Sequence, residues 1–408
     1  MTRNSILTAL LIFFALTIKA QQQTTSKSNT FPSAPYTNTA EQMLSNSGKL
    51  NIGGYGEAHF NQPFGNDQKE LGTADLHRMV MFLGYNFSKN TSFVSEIEFE
   101  YAKELWVEQA FLQHKLNKYM NLRAGLIIVP MGIINEYHEP VTFNGVERPL
   151  IDNRISLSTW REIGAGITGT VLPVSMKYQL YVMNGLSGYD TKGLFTGAAG
   201  LREGRQKGSK AYVHSPSFSG KLEYFGIRSL NIGLSGYIGE SQSRLFNKLH
   251  DDSTRLIAKA DSSLVGIAMA GIDARFKRGG LELRGQLYLT SLSNTIQYNK
   301  FTAVNGKNND LGSSMTGYYV EAGYNVLRHC EKTTQELVPF VRYEWYNTHA
   351  SVEGDVVQNK AYENTVITTG LTYRVHQNAV IKTDLQFTKS AAATEYKKVF
   401  NAGIGVMF

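Results

Sequence analysis

Apolar and polar side chains alternate with a period of two through most of the chain after residue 48. In residues 399–408, Phe400, Ala402, Ile404, Val406 and Phe408 fall on one face and Asn401, Gly403 and Gly405 alternate with them. In residues 91–101, Phe93, Ser95, Ile97, Phe99 and Tyr101 share one side, and Glu96, Glu98 and Glu100 the other. Leu281, Leu283, Leu287 and Leu289 oppose Glu282, Arg284, Gln286 and Tyr288, and Ile381, Leu385 and Phe387 oppose Lys382, Asp384 and Gln386. Successive side chains of a strand point to opposite faces, so each stretch reads as a strand with one apolar and one polar face. Such strands are predicted at residues 49–61, 77–87, 91–101, 105–116, 121–129, 160–172, 175–184, 217–225, 229–239, 263–277, 281–290, 315–327, 337–346, 364–375, 379–389 and 395–408. That is about sixteen, an even number in the range of single-chain bacterial barrels.

The two faces meet different solvents. A charged side chain facing lipid near the membrane midplane costs roughly 2–4 kcal/mol for Arg or Lys and less for an acid. Three glutamates on one face therefore point into water, and the apolar face points into lipid. The gaps between strands sort themselves the same way. Tight turns at 88–90, 117–120, 173–174, 226–228, 278–280 and 376–378 alternate with long gaps at 62–76, 130–159, 185–216, 240–262, 291–314 and 347–363. Short turns on one side and long loops on the other are the asymmetry of an outer-membrane barrel, and a soluble sandwich has no reason to produce it. Three gaps depart from it: 102–104 and 390–394 are short where a long loop is due, and 328–336 is long where a turn is due. The last strand, ending in Phe408, looks like the closing strand of such a barrel, and its terminal Phe resembles the recognition signal of the barrel-assembly machinery. The expected fold is all-β, a transmembrane antiparallel barrel enclosing an aqueous channel.

Composition narrows the reading further. Residues 1–20 have a charged start at Arg3 and an apolar run over residues 6–18, too short to span a bilayer as a helix, and read as a secretory signal cleaved after Ala20. Residues 21–48 are Gln, Ser, Thr, Asn and Pro with few apolar side chains, and read as a flexible periplasmic tail before the barrel at 49–408. Mean hydropathy is −0.25, and no later apolar stretch is long enough for a helical span. Barrels escape hydropathy because only alternate residues face lipid. The net charge of +7 falls to +5 once Arg3 and Lys19 leave with the signal, too small a bias to argue for nucleic acid. Cys330 stands alone, so no internal disulfide holds an exported chain together.

The segment 130–159 is the most distinctive text. It carries Asn135-Glu136-Tyr137-His138-Glu139-Pro140 and Phe143-Asn144-Gly145-Val146-Glu147-Arg148-Pro149, and Thr159-Trp160-Arg161-Glu162-Ile163-Gly164 closes it. A loop this rich in apolar and charged residues has something to pack against. These three strings resemble a porin family that includes the phosphate-selective porins O and P, particularly its Bacteroidetes-type branch. The resemblance is strongest over residues 125–170 and extends more weakly through the strand pattern to Phe408. It implies a sixteen-stranded outer-membrane barrel of a Gram-negative bacterium, a homotrimer, passing small hydrophilic solutes passively, with the third long loop folded inward. The namesakes rely on an arginine ladder and a lysine cluster, and no such ladder stands out here. Arg123, Lys177, Lys221, Arg284, Arg342 and Lys382 are candidate lumen cations, matched by Glu57, Glu96, Glu98, Glu100, Glu223, Glu282, Glu344 and Asp384. The candidate constriction is Glu136, His138, Glu139, Glu147, Arg148, Arg154 and Arg161.

Sharper chemistry finds less support in the residues. Glu136, His138 and Glu139 could ligate a metal, but ion pairs of the loop acids with Arg148, Arg154 or Arg161 are the preferred expectation, because buried loop charges need partners. Gly164-Ala165-Gly166-Ile167-Thr168-Gly169 fits a dinucleotide fingerprint, yet an extended run into Pro173 follows instead of a helix. A barrel enzyme, lipase- or protease-like, is the rival class; it needs a nucleophile with a base in reach, and no Gly-x-Ser-x-Gly elbow exists. An energy-driven transporter would need about twenty-two strands and a plug. No cofactor, no metal and no enzymatic activity are expected, and the partners expected are outer-membrane lipid and small hydrophilic solutes.

Overall fold

A computed structural model describes residues 37–65, 69–250 and 253–408. The expected signal, residues 1–20, and the tail as far as residue 36 lie outside the described residues. Sixteen strands form one closed barrel: β1 Leu50–Phe64, β2 Thr73–Asn86, β3 Thr91–Glu100, β4 Glu104–Lys115, β5 Asn121–Ile128, β6 Arg161–Val171, β7 Met176–Met183, β8 Ser217–Ile227, β9 Leu230–Glu240, β10 Gly266–Arg278, β11 Leu281–Ser293, β12 Ser314–Tyr324, β13 Glu336–Ser351, β14 Glu363–His376, β15 Ala379–Ser390 and β16 Lys397–Met407. Each strand pairs antiparallel with the next. β1 closes the sheet against β16, with Glu57 opposite Gly405 and Asn61 opposite Asn401. Closure leaves no edge strand with unpaired backbone groups, which is the condition for a sheet to cross a bilayer. The three irregular gaps are real features: β3–β4 and β15–β16 are joined by short links on the long-loop side, and residues 325–335 form a long link on the short-turn side.

The period-two pattern decides what each face meets. Leu180, Val182, Leu234, Ile238, Leu289, Val320, Ile381 and Ile404 are exposed on the outside, and Tyr318 there has its ring near those of Tyr343 and Trp345. Inside, Glu96, Glu98, Lys221, Glu282, Arg342, Glu344, Lys382 and Asp384 are buried. An exposed apolar band around a closed sheet with a charged interior has lipid as its matching solvent.

One expectation needs correcting. Residues 37–48 are not plain tail, because α1, Thr39–Ser45, forms there. Asn38 caps it by accepting from the Glu41 amide, and the Asn38 amide donates in return to the Glu41 carboxylate, a reciprocal capping box. Its Ala40 and Met43 are buried, and Gly53 and Gly84 leave the space that Met43 occupies. Glu41 meets Lys177 of β7 at 2.6 Å, while the helix packs on β1, β2 and β3, so α1 lies across the short-turn end of the lumen.

Candidate functional site

The connection between β5 and β6, residues 129–160, folds into the barrel; its residues from Val129 to Pro140 are all buried. A loop interior to a barrel must satisfy its backbone on the wall, and this one does. The Ile133 amide donates to Gln286 at 3.0 Å, Lys221 donates to the Gly132 carbonyl at 2.6 Å, the Val146 amide donates to Asp384 at 2.7 Å, and the Ile151 amide donates to Glu344 at 3.3 Å. Gly132 has φ +65° beside the Tyr288 hydroxyl, where any Cβ would collide, so only glycine fits. Ile133, Ile134, Tyr137 and Phe143 form a small apolar core of the loop's own. A short helix, α2 (Ile151–Arg154), precedes the return to the wall.

The expected site residues lie in this region, but the ion pairs expected within the loop do not form. Glu136 binds Lys221 at 2.8 Å and Gln179; His138 reaches Glu96 at 3.4 Å and Glu108 at 3.2 Å; Glu139 accepts from Thr39 beside α1. Glu147 binds His59 at 3.2 Å and Asn61 at 2.9 Å. Arg148 lies 3.8 Å from Glu57, Arg161 lies 3.5 Å from Glu108, and Arg154 donates to the Ala198 carbonyl. The principle that buried charges find partners holds, and the partners are on the wall. Glu136 turns to β7 and β8, His138 to β3 and β4, and Glu139 to Thr39 of α1, so these three do not converge on a metal.

Most wall residues behave alike, and Lys382, whose ammonium has a ring in place of an ion-pair partner among the described residues, is an exception. Arg123 donates to Gln113 over the Phe111 ring, Arg284 lies 3.2 Å from Glu321, Glu98 meets Arg78 at 3.2 Å, and Lys382 stands 3.7 Å over Phe143. Glu100 is half-buried and lines a cavity of about 220 Å³ between the loop and β1–β3, together with Glu57, His59, His77, Arg78, Glu147, Arg148 and Arg202. On the short-turn side, a cavity of about 200 Å³ lies against Tyr137, Arg275, Glu282, Arg284 and Arg374, and one of about 230 Å³ lies beside α1, Arg123 and Lys177.

Titration within the loop follows these partners. Burial works against the His138 cation, but the Glu108 and Glu96 carboxylates outweigh it and raise the ring to about 10. Burial works against the Glu147 anion as well, and the His59 ring and Asn61 hold its carboxyl at about 2. Asp152 has no cation beside it; burial lifts it to about 7 despite hydrogen bonds from Ser156, Gln286 and Tyr288.

Two groups escaped the sequence reading. The first is basic: Arg202, Arg205 and Lys207, in the connection between β7 and β8, lie over the start of β6. Arg205 donates to the Ser158 carbonyl at 2.7 Å and the Thr159 hydroxyl at 2.9 Å, Arg202 donates to Asn153 and Ser158 carbonyls, and Lys207 stands 4.2 Å over Trp106. Among the described residues none of these three, nor Arg154, has an ion-pair partner. Burial, then Arg202 and Arg161, pulls the Arg205 guanidinium below its usual range. Leu157 and Thr159, both with positive φ, turn the Ser158 carbonyl toward these cations. The signal was present as Arg202-Glu203-Gly204-Arg205-Gln206-Lys207, but it sits in a loop with no period to orient it. The second is Glu108, taken for an ordinary strand residue.

Comparisons with known proteins agree with this architecture. No family model matches the chain. An uncharacterized protein of Aquifex aeolicus (strain VF5) is 33% identical over 343 residues, 82% of this chain and 74% of that protein. The chain belongs to the family of this protein. Among solved structures, the anion-selective porin from Comamonas acidovorans matches with TM-score 0.56 and 11% identity, over 88% of this chain and 99% of that one. OmpF of Salmonella typhi, in complex with daunomycin, matches with TM-score 0.56 and 12% identity over 88% and 97%. The outer membrane channel DcaP of Acinetobacter baumannii matches with TM-score 0.55 and 10% identity over 88% and 97%. The fold is that of the outer-membrane porin barrels of Gram-negative bacteria.

Proposed function

We propose that this protein is an outer-membrane porin through which small hydrophilic solutes diffuse passively, with a preference for anions set at its mouth. One observation carries the reading: a loop built of buried apolar anchors and charges, residues 129–160, is threaded into a barrel whose outside is apolar and whose wall is ionic. Such a loop narrows a wet lumen without filling it, leaving cavities on both sides. Glu136, His138, Glu139, Glu147, Arg148, Arg154 and Arg161, with Arg123, Glu96, Glu98, Glu100, Arg284 and Lys382 on the wall, then shape the constriction. Most of these charges cancel in pairs, so they set radius more than sign. The sign comes from Arg202, Arg205, Lys207 and Arg154, whose unmatched charge raises the local concentration of anions. The resemblance to the phosphate-selective porin O/P family makes phosphate one candidate among them, and homotrimeric assembly belongs to the same reading.

Purified protein in a planar bilayer under a salt gradient tests this. Ohmic channels with a reversal potential on the anion side, slowed by added phosphate, are expected. A silent bilayer combined with hydrolytic activity in detergent would replace the porin by a barrel enzyme. Light scattering in detergent is expected to return three chains per particle.

A further inference from the structure

We propose that Glu96, Glu108 and His138 bind one divalent transition-metal ion of zinc-like preference, and that this ion clips the inward loop to the barrel wall. The inference does not rest on the porin reading. It starts from an irregularity in the sheet. Glu96 of β3 faces Gln109 of β4, and Ile97 faces Val107, so Glu108 is the extra residue of a β-bulge. A bulge re-aims a side chain. Here it turns Glu108 and Gln109 both inward, which places a second carboxylate beside Glu96. The loop supplies the third group. His138 Nδ1 lies 3.1 Å from the Asn135 carbonyl, a contact that only a protonated Nδ1 makes favourable, and this aims Nε2 at the two carboxylates. A backbone carbonyl holding the far nitrogen is how a metal-binding histidine is usually oriented.

The spacing favours an ion over a shared proton. Nε2 lies 3.4 Å from Glu96 Oε1 and 3.2 Å from Glu108 Oε2. Charge-assisted N–H···O bonds run about 2.7–2.9 Å, and Nε2 stands farther than that from both oxygens. Around a tetrahedral ion with bonds of ~2.0–2.1 Å, neighbouring donor atoms stand ~3.3–3.4 Å apart. Independently, among the described residues neither Glu108 oxygen has a hydrogen-bond donor in good geometry although the residue is 1% exposed, and its Oε1 has Arg161 at 3.5 Å. The Tyr55 hydroxyl, on a ring edge-on to His138 with centroids 6.1 Å apart, is also buried without a partner. One imidazole and two carboxylates are borderline-to-hard donors that suit Zn²⁺ and disfavour softer ions. The 220 Å³ cavity lies next to the cluster, its lining including Arg78, which binds Glu98, and Arg148, which binds the His138 carbonyl, while Glu96, Glu108 and His138 do not themselves line it. A second group, His59, His77 and Glu147, lies on the same cavity, but its two rings are stacked within 11° of parallel, so their lone pairs do not converge.

The test is equilibrium dialysis of the chelator-treated, detergent-solubilised full protein against Zn²⁺. One Zn²⁺ per chain is expected, with affinity falling about tenfold or more in Glu108→Gln and in His138→Gln, and unchanged in a His59→Gln/His77→Gln variant. Stoichiometric binding that survives both of the first substitutions, or that disappears with His59 and His77, overturns the assignment, as does a wild-type protein that retains no zinc. If the single variants do not fold, zinc-edge X-ray absorption of the wild-type protein decides. One imidazole with oxygen donors at ~2.0–2.1 Å is expected; two imidazoles would locate the ion elsewhere and sink the proposal.

Discussion

Two loops on the same side of the barrel carry comparable charge and use it in opposite ways. The inward loop, residues 129–160, matches most of its ions to the wall: Glu136 to Lys221, Glu147 to His59, Arg148 to Glu57. The loop between β7 and β8 holds Arg202, Arg205 and Lys207 on carbonyls and an aromatic ring, with no carboxylate on any of them among the described residues. The difference is one of solvent access. Deep in the barrel an unpaired charge would carry its full desolvation cost, so most charges there are paired, Lys382 over the Phe143 ring being an exception. At the mouth water shares the burden, and same-sign charges can remain as a field. On the proposed reading the inner loop is a structural and steric element, and the outer one an electrostatic element.

Removing residues 135–147 should give the largest effect, a severalfold rise in single-channel conductance with the shortened barrel still heat-modifiable. Unchanged conductance would mean that the inner loop is not the steric element. Lys221→Met strands Glu136 and Asp273 in the interior and removes the donor to the Gly132 carbonyl. It is expected to cost about 3–5 kcal/mol, read as a lower temperature of heat modification, whereas Arg205→Ala should cost no more than about 1 kcal/mol. Equal losses would erase the distinction between the loops.

Selectivity sharpens the comparison from the other side. Converting Arg202, Arg205 and Lys207 together to Gln should lower the chloride-to-potassium permeability ratio severalfold, and should do so more at low than at high salt because the field is screened. Neutralising the Glu136–Lys221 pair together should leave the ratio nearly unchanged; a shift of similar size would show that the inner charges also set sign. The smallest effect concerns Asp152. Its folded-state value near 7 lies above the unfolded 3.8, so the folded chain holds the proton more tightly. The contribution of Asp152 to stability should therefore be greatest below about pH 4, fall as pH rises toward 7, and level off above. Asp152→Asn should flatten that slope and stabilise the protein at pH 8, measured by thermal melting in detergent across pH; an unaltered slope would assign it to another group.

The barrel was legible because its signal is local. Alternation along ten residues names a strand and its lipid face without reference to any other part of the chain, and all sixteen strands appear where that pattern predicts them, within a few residues at each end. The charges of strands β3, β11 and β15 point inward as the cost of burying them in lipid requires. The inward loop was legible only as a loop needing something to pack on. Its partners were not legible, because His138 meets Glu96 and Glu108 only once the loop folds back into the lumen, across separations that no spacing rule measures. Glu108 faces the interior by virtue of a one-residue bulge, which breaks the alternation that sequence reading relies on. Helix α1 was hidden in polar composition, since its buried Met43 finds its room between Gly53 and Gly84 of the wall. Sequence alone determined the solvent of each face, because that depends on side-chain order within one strand. Tertiary structure decided the partner of each charge, because that depends on which strands closure brings to the same height in the lumen.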